Sequence, residues 1–348
     1  MNVNYILNIV ILRLLLIILI LNNFFCGGRK ENNITDDINI NDDEISDDEN
    51  NCTFITELIG TYNLPSSPRG IYVSDNYAFI ADGESGVYIL DITEPEFPYL
   101  AGKYDTPEEY IYTHDVYVNN NYAYIAEGHL VIIDITELSN LKFVGIVTSI
   151  PSDTSEVFVK GGYAYIAAFD AGLQIIDISD PTDPKLVGSY VTPGDAIGIY
   201  VKDSFAYIAS EHSGLQIVDV SDPTNPKPVG SYITPGYASG VYIKDNYAYI
   251  VDMDNLHIID ISDPLSPKLI SSFNSSIGGA FKVYIKDNFA FIADLVLGLL
   301  IIDISSSQDP KLVTRFRDTS AWDVYVKDNL IFVCDDNNRV LIIYFNCQ

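Results

Sequence analysis

A six-residue motif recurs along the chain and restricts the folds that the chain can adopt. The motif reads Tyr-Ala-Phe-Ile-Ala-Asp from position 77, and six further copies follow at spacings of 41 to 45 residues. The last copy is degenerate. The copies begin at Tyr77, Tyr122, Tyr163, Phe205, Tyr247, Phe289 and Leu330. A repeat of this length is typical of arrays in which each unit packs against its neighbours, such as solenoids and propellers.

Each repeat contains four short runs with the composition of β-strands. In the first repeat these are residues 70–74, 77–81, 87–92 and 99–104, which are rich in Tyr, Ile and Val and therefore favour strands. No stretch after residue 52 combines helical periodicity with helix caps, so we expect almost no helix. We predict an all-β fold, namely a seven-bladed β-propeller of four-stranded blades over residues 52–348.

Two further motifs recur between the strands and are typical of turns. Lys-Asp pairs at 202–203, 244–245, 286–287 and 327–328 are predicted to turn the chain from the first strand to the second. Ser-Asp-Pro motifs at 179–181, 221–223 and 262–264 are predicted to follow the third strand. In both motifs Asp can bond its own backbone, and Pro fixes φ.

The two ends of the array are complementary. Residues 58–62 match the fourth strand at 100–104, whereas the chain stops soon after a third strand at 340–344. We therefore predict that the N-terminal strand completes the last blade, which closes the ring and removes the open sheet edge.

The cysteines agree with this closure. Cys52 and Cys347 occupy the same repeat coordinate, equivalent to Glu94, at the two ends that should meet. We predict a Cys52–Cys347 disulfide, and two free thiols near the chain ends are the alternative. Cys334 replaces a strand alanine and is predicted to be a buried free thiol.

Residues 1–25 have the features of an export signal. The apolar run Leu14–Leu21 follows Arg13 and has the length of a signal-peptide core. The sequence Cys26-Gly27-Gly28 resembles the processing site of bacterial lipoproteins, which implies a lipidated Cys26, although Phe25 departs from the small residue preferred there. An uncleaved signal-anchor and ordinary secretion are the alternatives. All three place the folded part outside the cytoplasm.

Charge restricts the partners. The chain carries −29, and its first 51 residues contain three basic and nine acidic residues, which leaves −23 for residues 52–348. Residues 26–51 are too polar to fold and are predicted to form a disordered, extended tether. The acidic domain repels nucleic acid and anionic lipid. The expected partner is a protein, a basic peptide or a glycan, with the membrane reached through the N-terminal anchor.

The third-strand sequences resemble a known family. Leu130-Val-Ile-Ile-Asp, Leu173-Gln-Ile-Ile-Asp and Leu215-Gln-Ile-Val-Asp are similar to the LVIVD repeat of bacterial and archaeal surface propellers, and the resemblance covers roughly residues 54–345. The seventh repeat departs from it at Tyr344. The resemblance implies a propeller at the cell surface, and it brings no agreed activity and no catalytic motif.

In a propeller, the loops between second and third strands share one face with the connections between blades. Five of these loops begin with an acid, at Asp82, Glu127, Asp252, Asp294 and Asp335. The connections between blades supply Tyr110, Tyr112, His114, Asp195, Tyr237, Phe281 and Trp322. Acids with aromatic rings suit a basic peptide, a cation or a sugar ring. Alternatively, each Asp bonds its own loop and the rings only pack.

Catalytic signals are weak. The four histidines lack a metal-ligand spacing, and the chain contains no nucleophile elbow, phosphate-binding loop or calcium loop. We expect no cofactor and no metal. The pairs Asp82/Glu84 and Asp252/Asp254 keep a carbohydrate-active hydrolase or lyase open. A purely structural envelope component is a third hypothesis, and a membrane-tethered binding module outside the cytoplasm is the leading one.

Overall fold

A computed structural model describes residues 54–105, 112–274 and 278–347, with the backbone alone for Cys347. Within these ranges the strands form seven four-stranded antiparallel sheets, one for each repeat. The predicted seven-bladed propeller is therefore confirmed. Helical structure in the described ranges is limited to one 3₁₀ turn at Leu138–Asn140, and no helix there is long and apolar enough to cross a membrane.

The strands follow one another around the ring, blade by blade. Blade 1 contains β2 (Gly70–Ser74), β3 (Tyr77–Ala81), β4 (Val87–Asp91) and β5 (Tyr99–Tyr104). Blade 2 contains β6 (Asp115–Asn119), β7 (Tyr122–Ala126), β8 (Leu130–Asp134) and β9 (Lys142–Val147). Blade 3 contains β10 (Glu156–Lys160), β11 (Tyr163–Ala167), β12 (Leu173–Asp177) and β13 (Lys185–Tyr190). Blade 4 contains β14 (Ala196–Lys202), β15 (Phe205–Ser210), β16 (Gly214–Asp219) and β17 (Lys227–Tyr232).

The remaining blades repeat this order. Blade 5 contains β18 (Gly240–Lys244), β19 (Tyr247–Val251), β20 (Asn255–Asp260) and β21 (Lys268–Asn274). Blade 6 contains β22 (Ala280–Lys286), β23 (Phe289–Asp294), β24 (Gly298–Asp303) and β25 (Lys311–Phe316). Blade 7 contains β26 (Ala321–Lys327), β27 (Leu330–Asp335), β28 (Arg339–Cys347) and, as its fourth strand, β1 (Phe54–Asn63).

The ring closes as predicted. Strand β1 pairs antiparallel with β28, from Phe54 opposite Cys347 to Asn63 opposite Arg339. Strand β28 continues beyond its predicted end at residue 344, because the ten residues of β1 give it a partner over this whole length. Cys52 lies outside the described residues, so its disulfide with Cys347 stays a prediction. Cys334 is buried and free, as predicted.

The predicted turns are confirmed on the face where the first strands end. The Asp of each Lys-Asp pair has a positive φ, for example 51° at Asp203, a conformation that Asp tolerates better than most residues. After the third strand, Asp180 of the first Ser-Asp-Pro motif accepts a hydrogen bond from the backbone N–H of Thr182 at 3.0 Å. These short local bonds turn the chain without help from distant residues.

The core consists of seven apolar clusters, one between each pair of neighbouring blades. A blade is therefore covered on both of its faces, and its third strand loses the alternation of a half-exposed strand. In β4 every residue from Val87 to Asp91 is buried. This double burial explains why the third strands read as continuous apolar runs.

Candidate functional site

The first strand of each blade lines a central channel with alternate residues, because side chains of a strand alternate between its two faces. At the middle of each first strand the channel-facing residue is aromatic. Neighbouring rings contact each other around the whole circle, with centroids 4.7 to 5.3 Å apart. The seven rings belong to Tyr72, Tyr117, Phe158, Tyr200, Tyr242, Tyr284 and Tyr325. We call this the aromatic layer.

Two residues earlier in each first strand lies a charged layer. Its positions are occupied by Gly70, Asp115, Glu156, Gly198, Gly240, Lys282 and Asp323. The Lys282 Nζ is 2.6 Å from the Glu156 Oε1. Because these residues belong to blades 6 and 3, on opposite sides of the ring, the ion pair crosses the channel.

The acids of this layer also join neighbouring blades. Asp115 accepts a hydrogen bond from the backbone N–H of Val157 at 3.0 Å, and Glu156 accepts one from Ile199 at 2.9 Å. In the same way Asp323 accepts one from Ile71 at 2.9 Å. Each carboxylate therefore holds the first strand of the next blade.

Burial governs the charges of this layer. It raises the pKa of Asp323 to about 6, and it raises the pKa of Asp115 as well. For Lys282, burial alone would lower the pKa, but the carboxylates of Glu156, Asp323 and Asp115 outweigh it and raise the pKa. The layer thus holds a permanently charged ammonium among three carboxyl groups, two of which take up protons more readily than in water.

Directly above the charged layer, one residue of each blade lies at the level of the upper mouth of the channel; in blades 4 and 5 this residue is buried, and in the other five it is partly exposed. In blades 4, 6 and 7 it is the extra residue of a β-bulge, since the register shifts between Ala196 and Gly198, between Ala280 and Lys282 and between Ala321 and Asp323. A bulge re-aims a side chain locally. The upper-mouth residues are Arg69, His114, Ser155, Ile197, Ser239, Phe281 and Trp322.

On one side these residues form a continuous arc. The guanidinium carbon of Arg69 lies 3.6 Å from the centroid of the Trp322 ring, and its Nε donates a hydrogen bond to the Tyr112 hydroxyl at 2.9 Å. Phe281 contacts Trp322 edge-on at 4.9 Å between centroids, and Tyr112 contacts His114 at 5.1 Å. We call these five residues the aromatic–guanidinium arc.

Arg69 provides the charge of this arc. Burial and, to a lesser degree, the nearby Arg69 lower the pKa of His114 to about 4, so the imidazole is neutral at pH 7. Among the described residues, no carboxylate oxygen lies within 4.0 Å of the Arg69 guanidinium. Tryptophan stacking and the Tyr112 bond therefore orient a guanidinium whose terminal nitrogens remain available.

The structure brings together some of the predicted site residues and separates others. Tyr112, His114, Phe281 and Trp322 belong to the arc. Tyr237 instead contacts His212, with ring centroids 5.5 Å apart. Tyr110 lies outside the described residues.

The five predicted acids of the upper face have buried side chains. Their relative exposure is 0% for Asp82, Asp252, Asp294 and Asp335 and 2% for Glu127. The four aspartates accept hydrogen bonds from backbone N–H groups of the upper loops, which are those of Ser66, Gly236, Val296 and Ser320. These bonds agree with the alternative interpretation that the acids shape their loops, and direct contact with a ligand stays a prediction for them.

One buried hydrogen-bonded line has the composition of a hydrolase triad. The His257 Nε2 is 2.7 Å from the Asp252 Oδ2, and its Nδ1 is 2.7 Å from the Ser272 Oγ. In blades 3 and 4 the position of His257 holds Gln174 and Gln216, whose amides bond loop carbonyls. In blade 5, the hydrogen bonds of His257 therefore take the place of the strand-to-loop bonds that Gln174 and Gln216 make in blades 3 and 4.

The lower mouth of the channel is more uniform. Five lysines, two residues beyond the aromatic layer, each donate from Nζ to a backbone carbonyl in the first turn of the next blade. They are Lys160, Lys202, Lys244, Lys286 and Lys327. A shallow cleft of about 320 Å³ lies nearby, lined by turn residues such as Asp287 and Asp328. Because these residues recur in several blades with the same turn role, we do not assign a ligand site there.

Sequence reasoning missed Arg69 and the whole charged layer. The signal was present, because aligning the seven first strands shows a column two residues before the conserved aromatic column that holds Gly, Asp, Glu or Lys, whereas the column between them is always Ile or Val. Within the described residues, no group of three or more His, Cys, Asp or Glu side chains could hold a metal ion.

Comparison with known proteins agrees with this architecture. The crystal structure of the computationally designed Ika8 protein is similar, with a TM-score of 0.64 and 11% identity over 83% of this chain and 99% of that chain. A chain in the crystal structure of a mitotic checkpoint complex gives a TM-score of 0.70 and 9% identity over 91% of this chain and 99% of that one. At such identities the likeness shows the fold alone. No curated protein matches the chain.

The family assignment comes from the repeats themselves. The model of the LVIVD repeat matches seven consecutive segments, which are residues 67–106, 112–149, 151–192, 193–234, 235–275, 277–318 and 318–343. Each segment begins before a first strand, and together they cover most of the chain. The chain therefore belongs to the LVIVD repeat family.

Proposed function

We propose that this propeller is a binding module that holds a protein or a glycan outside the cytoplasm, and that its ligand enters the upper mouth of the channel. A propeller of LVIVD repeats is suited to binding or scaffolding. The aromatic–guanidinium arc carries the proposal, because it brings aromatic rings and an oriented cation together at the upper end of the channel. A ring that served only as a spacer would have no need of such a cluster.

The proposal places the module at the membrane through its N-terminal region. Lipidation of Cys26 would attach the chain, and the acidic residues up to 51 would hold the ring away from the bilayer. Incorporation of radiolabelled lipid, compared between the wild type and Cys26→Ser, tests this part. Label that persists in the variant would refute Cys26 as the attachment point.

Affinity capture from native cell-surface extract tests the binding function. The full chain serves as bait beside Trp322→Ala, which removes the platform under Arg69, and Lys244→Gln, a matched change at the lower mouth. We expect a selective partner that the wild type and Lys244→Gln retain and that Trp322→Ala loses. Substituting the buried acids of the upper loops is a poorer test, because it would disturb the loops themselves.

The rival functions make different predictions for the same capture. A purely structural envelope component would retain no selective partner in any variant. A carbohydrate-active enzyme requires two carboxyl groups that converge on a sugar. In both predicted pairs the first carboxylate is buried, at Asp82 and Asp252, while Glu84 and Asp254 are exposed. The structure therefore favours the binding function over hydrolysis.

A further inference from the structure

We propose that the upper mouth recognises the C-terminal carboxylate of a peptide whose preceding residues are basic, with Arg69 as the anchor of that carboxylate. This inference rests on the binding function proposed above and names its ligand class. The observations that carry it are the orientation of Arg69, the floor of the mouth and the charge of its rim.

Arg69 is suited to bind a carboxylate. A guanidinium binds a carboxylate with two parallel hydrogen bonds when its plane is fixed and its terminal nitrogens are accessible. Here the Trp322 ring, whose centroid lies 3.6 Å from the guanidinium carbon of Arg69, fixes the plane of the guanidinium, and the Arg69 Nε donates a hydrogen bond to the Tyr112 hydroxyl at 2.9 Å. Since no acid of the described residues pairs with Arg69, its two terminal nitrogens are the ones that the inference gives to the ligand. The neutral His114 adds no second positive charge, which indicates a site for a single anionic group.

The floor of the mouth indicates a chain end and disfavours a continuous segment. The ion pair between Lys282 and Glu156 spans the channel at the level of Asp115 and Asp323, and the aromatic layer follows directly below. A segment that enters the mouth must stop at this floor. The last side chain of a peptide can then lie against Phe281 and Trp322, whose rings form a wall beside Arg69.

The rim indicates that the rest of the peptide is basic. The upper loops expose acids that include Glu84, Asp153, Asp170, Asp254, Asp318 and Asp336. The described parts of these loops contain Arg317 as their exposed basic residue. Lysine or arginine residues preceding the terminus would be attracted by this rim.

The same charges disfavour a glycan. An acidic polysaccharide carries many negative charges and would be repelled by the rim and by the −23 of residues 52–348. A neutral glycan offers Arg69 hydroxyl oxygens as acceptors but no anion, so it would lack the ionic part of a guanidinium–carboxylate bond. A peptide combines one terminal carboxylate with basic side chains, so it satisfies both parts of the surface.

The test uses a pool of short synthetic peptides with lysines near the end and a random last residue, prepared once as free acids and once as C-terminal amides. The full chain is immobilised, and the retained peptides are identified by mass spectrometry. We expect free acids to be retained and their amides to bind about tenfold or more weakly, as the loss of a charge-assisted bond implies. Arg69→Gln should abolish this preference, and Arg69→Lys should restore only part of it.

Lys286→Gln, which removes a cation at the lower mouth, is the matched control and should keep the preference. Thermal unfolding of each variant checks that it is folded. Equal retention of acids and amides, an unchanged preference in folded Arg69→Gln, or retention of no peptide would each overturn the inference. If the capture from extract still depends on Trp322 while amidation has no effect, the binding function stands and only the peptide-terminus inference fails.

Discussion

The two mouths of the channel are built from the same seven strands, but their residues repeat from blade to blade to different degrees. At the lower mouth five of seven positions are lysine, and every one of these lysines makes the same bond to the next blade. At the upper mouth the seven positions hold six residue types. A residue that every blade needs for closure must repeat, whereas a position that changes from blade to blade can serve another role. We therefore attribute the lower mouth to the fold, and the variety of the upper mouth supports the proposal that the ligand binds there.

The charged layer is intermediate between the two mouths, because some of its contacts repeat between blades and one occurs once. Its acids bond the next blade, as the lower lysines do, but the ion pair of Lys282 with Glu156 occurs once and crosses the ring. It supports the upper mouth from below. The substitutions below test whether the two ends of the channel differ as this interpretation requires.

The largest effect is expected from Lys282→Met. It leaves Asp115, Glu156 and Asp323 in the channel without a cation, and breaking a buried pair in this way typically costs about 3–5 kcal/mol. Lys286→Met, four residues along the same strand at the lower mouth, removes one partly exposed bond and should cost about 1 kcal/mol or less. Denaturant unfolding at pH 7 measures both, and equal losses would contradict the distinction.

The pH dependence of stability should also originate in the charged layer. The pKa of Asp323 is raised to about 6 in the folded chain, above the value of about 3.9 expected when unfolded. A raised pKa contributes stability below the unfolded value, and this contribution is lost as the pH rises through the folded value. From Asp323 alone we expect the free energy of unfolding to fall by about 1–2 kcal/mol between about pH 5 and pH 8. Asp115, whose pKa is raised by burial as well, adds to this fall.

Asp323→Asn should reduce this pH dependence, because its amide oxygen can still accept the bond from Ile71 but no longer titrates, and the remaining slope then comes from other buried acids such as Asp115. Asp328→Asn, in the exposed turn below, should leave the wild-type slope unchanged. Denaturant unfolding at several pH values measures the slopes, and an unchanged slope in Asp323→Asn would place the titrating group elsewhere.

The smallest expected effect is an increase in stability. Blades 1 and 2 carry Ser74 and Asn119 where the other blades carry the bonding lysine. Asn119→Lys should add a bond to the first turn of blade 3, at the carbonyl of Gly161, and stabilise the ring by about 0.5–1 kcal/mol. Thermal unfolding would show a modest rise in the midpoint. A lower midpoint would mean that the lysine bonds are a consequence of the turns and contribute no stability.

Sequence reasoning predicted those parts of the molecule that depend on local patterns. The strand at Tyr77–Ala81 was placed correctly, because its apolar run and flanking turn residues are neighbours in the chain. Ring closure followed from the match between residues 58–62 and 100–104, which is also a pattern within the repeat.

The parts that could not be predicted depend on contacts between distant blades. Lys282 meets Glu156 only because the ring closes, and no local pattern marks either residue. The loop acids were expected at the surface, but an Asp that opens a hairpin has the same sequence pattern whether its carboxylate faces solvent or, as at Asp252, lies buried under the loop. Trp322 was identified as a candidate, yet the bulge that turns it toward Arg69 is a feature of the register and is not visible in the sequence.

The assignment of the ligand to the upper mouth can be tested directly by site-specific photo-cross-linking. A photoreactive residue replaces either Glu84, exposed in the upper loop of blade 1, or Asn76, exposed in the lower turn of the same blade. Each protein is irradiated in native cell-surface extract, and cross-linked partners are identified by mass spectrometry. We predict a specific partner from position 84 and none from position 76. A specific partner captured from position 76 alone would contradict the assignment and place the ligand at the lower mouth.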